Sequence, residues 1–161
     1  MSDRDEGFSD FVASRQAGLR RVAYLLCGDW HQADDLLQTA LSKAYVAWPR
    51  IQRDGREEAY VRQIMVRANI DEARRPWRRR ERPGLDAVDP PAPAGFAHEE
   101  RALLLEALAD LPPMVRRTVV LRHWIGLSVA ETAKELGIAE GTVKGYAARG
   151  LERLQHALAP R

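Results

Sequence analysis

The stretch PGLDAVDPPAPAGFA at residues 83–97 constrains this chain more than any other. Pro83, Pro90, Pro91 and Pro93 remove backbone donors and clash with a preceding helical turn, and Gly84 and Gly95 add backbone freedom. No helix or core can run through such a stretch, so it reads as a linker. The 161-residue chain then divides into two small domains, residues 1–82 and 98–161. On the N-terminal side, Phe8, Phe11, Val12, Leu19, Val22, Ala23 and Leu26 keep three- and four-residue spacing, and Gly28-Asp29 closes that helix. A second stripe, Ala33, Leu36, Leu37, Ala40, Leu41, Ala44, Tyr45 and Trp48, stops at Pro49. The polar run from Pro49 to Arg56 reads as a connection with a turn at Asp54-Gly55. A third helix starts near Glu57, with Val61, Ile64, Met65 and Ala68 inward, and Pro76 ends or kinks it. Helical pattern resumes over 98–110 and again after Pro112-Pro113. Strand signals are scarce. The predicted fold is all-α: two small helical bundles joined by a proline-rich linker.

Composition narrows the function classes. Hydrophobic residues make up 45% of the chain, enough to build cores. The net charge of +2 conceals a local excess: RRPWRRRER at residues 74–82 carries six arginines and one glutamate. Cys27 is the only cysteine, which rules out an intrachain disulfide and a zinc site of paired cysteines, and its apolar flanks suggest a small buried residue. The four histidines, His31, His98, His123 and His156, are scattered without metal-ligand or nucleophile–base spacing, so neither a metal site nor an enzyme is expected. The acidic, polar start MSDRDEGF lacks the form of a signal peptide, and no run approaches a membrane span, so a cytoplasmic location is expected.

The sharpest local pattern is LSVAETAKELGIAEGTVKGYAARGLERL, residues 127–154. Ser128 and Glu131 are spaced as a capping box. Ala133 is small where two helices cross, Gly137 suits the left-handed turn between them, and Ile138, Val143 and Tyr146 supply the apolar contacts. That is the packing pattern of a DNA-reading helix-turn-helix, against the alternative of an ordinary helical hairpin. Glu140, Thr142, Lys144 and Arg149 project outward from the second helix, where they can meet phosphates or base edges. Gly145 and Gly150 cost helix propensity, roughly 1 kcal/mol each. Gly145 either admits close approach of backbone to DNA or is tolerated drift on a surface.

In the N-terminal half, Asp34, Asp35 and Gln38 form a polar edge beside a strongly apolar stripe; they suit either a docking surface or the helix dipole alone. The third helix carries Arg62, Arg67, Asn69, Arg74 and Arg75 at its polar positions and leads into Trp77 and Arg78. Arginines neutralise phosphates, and a tryptophan among them can stack on an unpaired base. The bland account, a solvated helix end, needs fewer cations than six in nine residues.

Over about residues 8–158 the chain resembles the extracytoplasmic-function sigma factors of the sigma-70 family, and its form is most similar to the SigE-like subgroup. ADDLLQTALSKAY is similar to the family's polymerase-binding segment, AYVRQIMVRANIDEARRPWRRR to the segment that melts and reads the −10 element, and LADLPPMVRR through GTVKGYAARGLERL to the −35-reading domain. The resemblance implies an alternative sigma factor that binds core RNA polymerase and directs promoter recognition, melting and initiation. Its implied partners are the β′ clamp helices and β flap of the polymerase, promoter DNA and an anti-sigma factor, with no cofactor, no catalysis and no membrane insertion. It implies polymerase contacts by Asp34, Asp35 and Gln38. The −10 contacts would fall to Arg62, Arg67, Asn69, Arg74, Arg75, Trp77 and Arg78, and the −35 contacts to Glu140, Thr142, Lys144 and Arg149. Arg67 stands where the family commonly has asparagine, and Gly145 where it often has serine. A stand-alone regulator using the same helix-turn-helix is the rival reading, and it leaves the arginine-rich helix unexplained.

Overall fold

The structure is a computed structural model that describes residues 2–74 and 98–160. The expected linker and the residues Arg75, Pro76, Trp77 and Arg78 lie outside the described residues. The chain falls into two compact units, Met1–Pro83 and Gly84–Arg161. All regular structure among the described residues is helical.

In the first unit, α1 (Asp3–Cys27) opens on Ser2, whose hydroxyl accepts from the Asp5 amide, and Asp3, Asp5 and Glu6 lie at the favourable end of its dipole. It ends at Gly28, in the left-handed conformation at φ 75°. Asp29 then caps α2 (Trp30–Val46), accepting from the Gln32 amide at 3.1 Å. A short helix, α3 (Trp48–Asp54), and α4 (Glu57–Ala73) complete the unit. The polar run after Trp48 is therefore helical rather than a simple connection. Pro49 sits in the first turn of α3, where its missing donor costs no hydrogen bond. α2 packs against both α1 and α4, and its Ala33, Ala40 and Ala44 are fully buried. Such small side chains let the helices approach closely around Leu26, Leu36, Leu37, Val61 and Met65. Trp48 and Ile51 close one end of this core. Cys27 is half-buried, and its thiol donates to the Asp29 carbonyl at 3.2 Å.

The second unit holds α5 (His98–Asp110), α6 (Pro113–Val119), α7 (Val129–Leu136) and α8 (Glu140–Leu158). α6 runs directly into one π-helical turn, Val120–Ile125, closed by Gly126 at φ 88°. The amides of Gly126 and Leu127 both donate to the Leu121 carbonyl. α8 packs against α5, α6 and α7 around Val115, Val119, Leu121, Leu136, Val143 and Leu154. Among the described residues, no helix is long and apolar enough to cross a membrane.

Candidate polymerase and nucleic-acid surfaces

The acidic edge of α2 is not uniform. Asp35 and Gln38 are exposed, along with His31 and Ser42 on the same stripe. Asp34 sits to one side, half-buried, and faces α1. The Arg20 Nε–H donates to Asp34 Oδ1 at 2.8 Å, and Arg20 Nη2 donates to Oδ2 at 3.4 Å. The same guanidinium lies 4.5 Å from the centroid of the Trp30 ring. Trp30, buried, stacks in turn on Tyr24 at 4.0 Å with an 11° tilt. Hydrogen bonding to Asp34 raises the Arg20 pKa. The sequence reading missed Arg20, because it stands 14 residues before its partner on another helix.

At its far end, α2 exposes Tyr45 (38%) and Val46 (74%). The Arg4 guanidinium donates to the carbonyls of both residues and lies over the Tyr45 ring. The Tyr45 hydroxyl donates to Asp5, a bond that lowers the Asp5 pKa and raises that of Tyr45. Phe8 meets Tyr45 and Trp48 edge-on, with centroids 5.2 and 5.4 Å away. The first turns of α1 thus cap a helix end that has no glycine of its own.

On α4, the polar residues expected to face DNA separate into two stripes. Arg67 and Arg74, two turns apart, are exposed together with Gln63 and Asp71. Asn69 is 8% exposed. It follows Val61 and Met65 at four-residue spacing and so points with them into the core, which removes it from the exposed set. Arg62, two turns before Asn69, is half-buried on that packed side. Amino-acid type placed all four on one surface; helix angle divides them.

The helix-turn-helix is built as its sequence predicts. The Ser128 amide donates to Glu131 Oε1 at 2.9 Å, and the Glu131 amide donates to Ser128 Oγ at 3.0 Å. Gly137 turns the chain at φ 69°, its amide donating to the Ala133 carbonyl. Val143 is fully buried and Ala133 nearly so. Glu140, Lys144 and Arg149 are exposed and Thr142 is half-exposed. Glu140 and Lys144, one turn apart, form one edge of the outward face of α8; Thr142 and Arg149, two turns apart, form the other. Gly141, Gly145 and Ala148 run between the two edges, and a Cβ at either glycine would meet no neighbour. The Arg149 guanidinium carbon stands 5.7 Å from the Tyr146 ring centroid. Gly150 is different in kind: a Cβ there would fall 2.3 Å from Val119 Cγ2 and 3.1 Å from Val115 Cγ1. Its role is close crossing of α6 and α8, which sequence reading did not assign. Among the described residues, no group of three or more His, Cys, Asp or Glu could hold a metal ion.

Two family models match the chain in order: sigma-70 region 2 over residues 11–79 and sigma-70 region 4 over residues 101–154. The chain is 39% identical over 158 residues to the RNA polymerase sigma-E factor of Streptomyces coelicolor, spanning 96% of this chain and 87% of that one. It is 35% identical to the ECF RNA polymerase sigma factor SigM of Mycobacterium tuberculosis, over 94% of this chain and 76% of the relative. In fold it resembles the Bartonella quintana sigma factor RpoE, solved in complex with the anti-sigma factor NepR. The TM-score is 0.76 at 23% identity, covering 97% of this chain and 99% of that one. With both sigma-70 regions in sequence and near full-length relatives at this identity, the chain belongs to the extracytoplasmic-function sigma factors of the sigma-70 family.

Proposed function

We propose that this chain binds core RNA polymerase, chiefly through the exposed α2 stripe at Asp35 and Gln38, and carries it to promoter DNA. The protein is an alternative sigma factor, a transcription-initiation factor rather than an enzyme. The observation that carries this reading is the presence of both sigma-70 regions, in order, in one chain. Residues 1–82 take the polymerase and −10 roles, residues 83–97 act as a tether, and residues 98–161 take the −35 role. Arg67 and Arg74, followed by Arg75, Trp77 and Arg78, meet the −10 strand as phosphate neutralisers and a stacking platform. Lys144 and Arg149, from opposite edges of α8, reach phosphates or guanine edges in the major groove, with Glu140 and Thr142 beside them. Neither domain alone need bind tightly, because holding both on one polymerase raises the effective concentration of each contact. The partner set is core polymerase through its β′ clamp helices and β flap, and promoter DNA, in the cytoplasm and without a cofactor; control by an anti-sigma factor and control by expression alone are both open to it.

The test is run-off transcription from fragmented genomic DNA of the source organism, with purified core polymerase and with or without this protein. New transcripts from fixed start sites are expected. Tight duplex binding by the protein alone with no new transcripts would favour the stand-alone regulator instead. Within the same assay, Lys144→Ala should lower promoter-dependent transcription while polymerase pull-down stays at the wild-type level.

A further inference from the structure

The two adjacent carboxylates of α2 occupy different electrostatic settings, and the difference defines the surface a partner meets. Asp34 is engaged by both nitrogens of Arg20 at 2.8 and 3.4 Å. Arg20 is itself held in place, because its guanidinium rests over Trp30 and Trp30 is pinned between it and Tyr24. A cation fixed by stacking is a better-placed counter-charge than a free surface arginine, which would lose side-chain entropy on pairing. Asp35, one residue on and a hundred degrees around the helix, forms no ion pair or side-chain hydrogen bond among the described residues. It lies on the outward stripe His31, Asp35, Gln38, Ser42, Val46, where it is the one acidic residue. Beyond it the stripe is hydrogen-bonding at Gln38 and Ser42 and apolar at Val46, beside the Tyr45 ring that Arg4 covers.

We infer that Asp35 alone is the charged contact for the polymerase, and that Arg20 is a positioning residue that neutralises Asp34 and keeps it out of the interface. The surface so defined fits a partner face with a basic side chain opposite Asp35, an apolar contact near Val46 and hydrogen-bonding groups between. This rests on the reading of α2 as the polymerase-docking helix. It departs from the resemblance, which gave Asp34 and Asp35 the same role.

The experiment measures affinity of the full chain for purified core polymerase, with a fluorophore on the sigma factor, for four proteins: wild type, Asp35→Asn, Asp34→Asn and the charge exchange Arg20→Asp with Asp34→Arg. Melting temperature is recorded for each. Asp35→Asn should weaken binding by about tenfold or more, as expected for loss of a charged interface contact. Asp34→Asn should change it by less than about threefold, since an intrachain surface pair is worth little. The exchange variant should stay within the same range, because it reverses the pair without touching Asp35. If Asp34→Asn or the exchange variant loses as much affinity as Asp35→Asn with melting unchanged, Asp34 is itself a contact and the inference fails. The isosteric Asp34→Asn keeps the test decisive even if the exchange variant does not fold. If Asp35→Asn binds as wild type, the docking role of α2 fails, which is a separate result.

Discussion

The helix-turn-helix and helix α4 are both proposed to meet DNA, yet they are held in place by different means. α7 and the turn that follows it are set by neighbours in sequence: Ser128 and Glu131 cap each other, and Gly137 makes the turn four residues beyond the small Ala133. α4 opens on Arg56 with no side-chain cap, and its placement comes from burial of Val61, Met65, Val66 and Ile70 against α1 and α2. The stripe of α2 proposed for the polymerase resembles α4 in this respect, since its electrostatics depend on Arg20 from another helix. A surface fixed by local signals can be read from a sequence almost residue by residue. A surface fixed by tertiary packing can be read only as a helix, with the facing of each polar residue left to the core.

That contrast can be tested by substitution. The largest effect is expected from Asp35→Arg, which places a cation opposite a cationic contact. Polymerase binding should fall by about 2–5 kcal/mol, measured by titration, with the circular dichroism spectrum unchanged. Co-elution with core polymerase at the wild-type level would remove α2 from the interface. Next comes Gly150→Val, which drives a branched side chain into Val119 and Val115. Overpacking of this kind should destabilise the second unit by about 1–3 kcal/mol in urea denaturation, and an unchanged midpoint would mean that α6 and α8 do not cross closely there. Ser128→Ala removes the Oγ acceptor of the capping box and should cost about 1 kcal/mol by the same measurement. No loss would show that the turn, not the cap, sets the start of α7. The smallest effect is a gain: Gly145→Ala should stabilise the free protein by up to about 1 kcal/mol, since a Cβ there meets nothing. Measured −35 duplex affinity then separates the two readings of Gly145. A loss despite greater stability marks close backbone approach, and no loss marks tolerated drift.

Much of the architecture was available from residue spacing. The C-terminal end of α1 is legible in Gly28, and the helix-turn-helix in the spacing of Ala133, Gly137, Val143 and Tyr146, whereas the start of α1 at Asp3 lies before the apolar pattern begins. What escaped has physical reasons. Pro49 stops a helix as readily as it starts one, and only the path of the chain shows that it opens α3. The π-helical turn at Val120–Ile125 has no composition of its own; apolar spacing there fits ordinary helix equally well. Asn69 looked like a surface residue by type, although its four-residue spacing from Val61 and Met65 already pointed inward. Gly150 looked like a weak point in α8 because its reason lies on α6. The pairing of Arg20 with Asp34 belongs to the same class: both partners are common surface types, and only the packing of α1 on α2 joins them.

The crossing at Gly150 also bears on how such a protein can diverge. With no Cβ between α8 and the valines of α6, the two helices meet at a separation that no other residue type reproduces without displacement. Rolling α8 about its own axis would carry Val143 and Leu154 out of the core along with Gly150. If α8 reads promoter DNA as proposed, a change of preference in this fold falls to the identities of side chains at positions such as 140, 142, 144 and 149. The packing fixes the aim of the helix and leaves its outward side chains open to change.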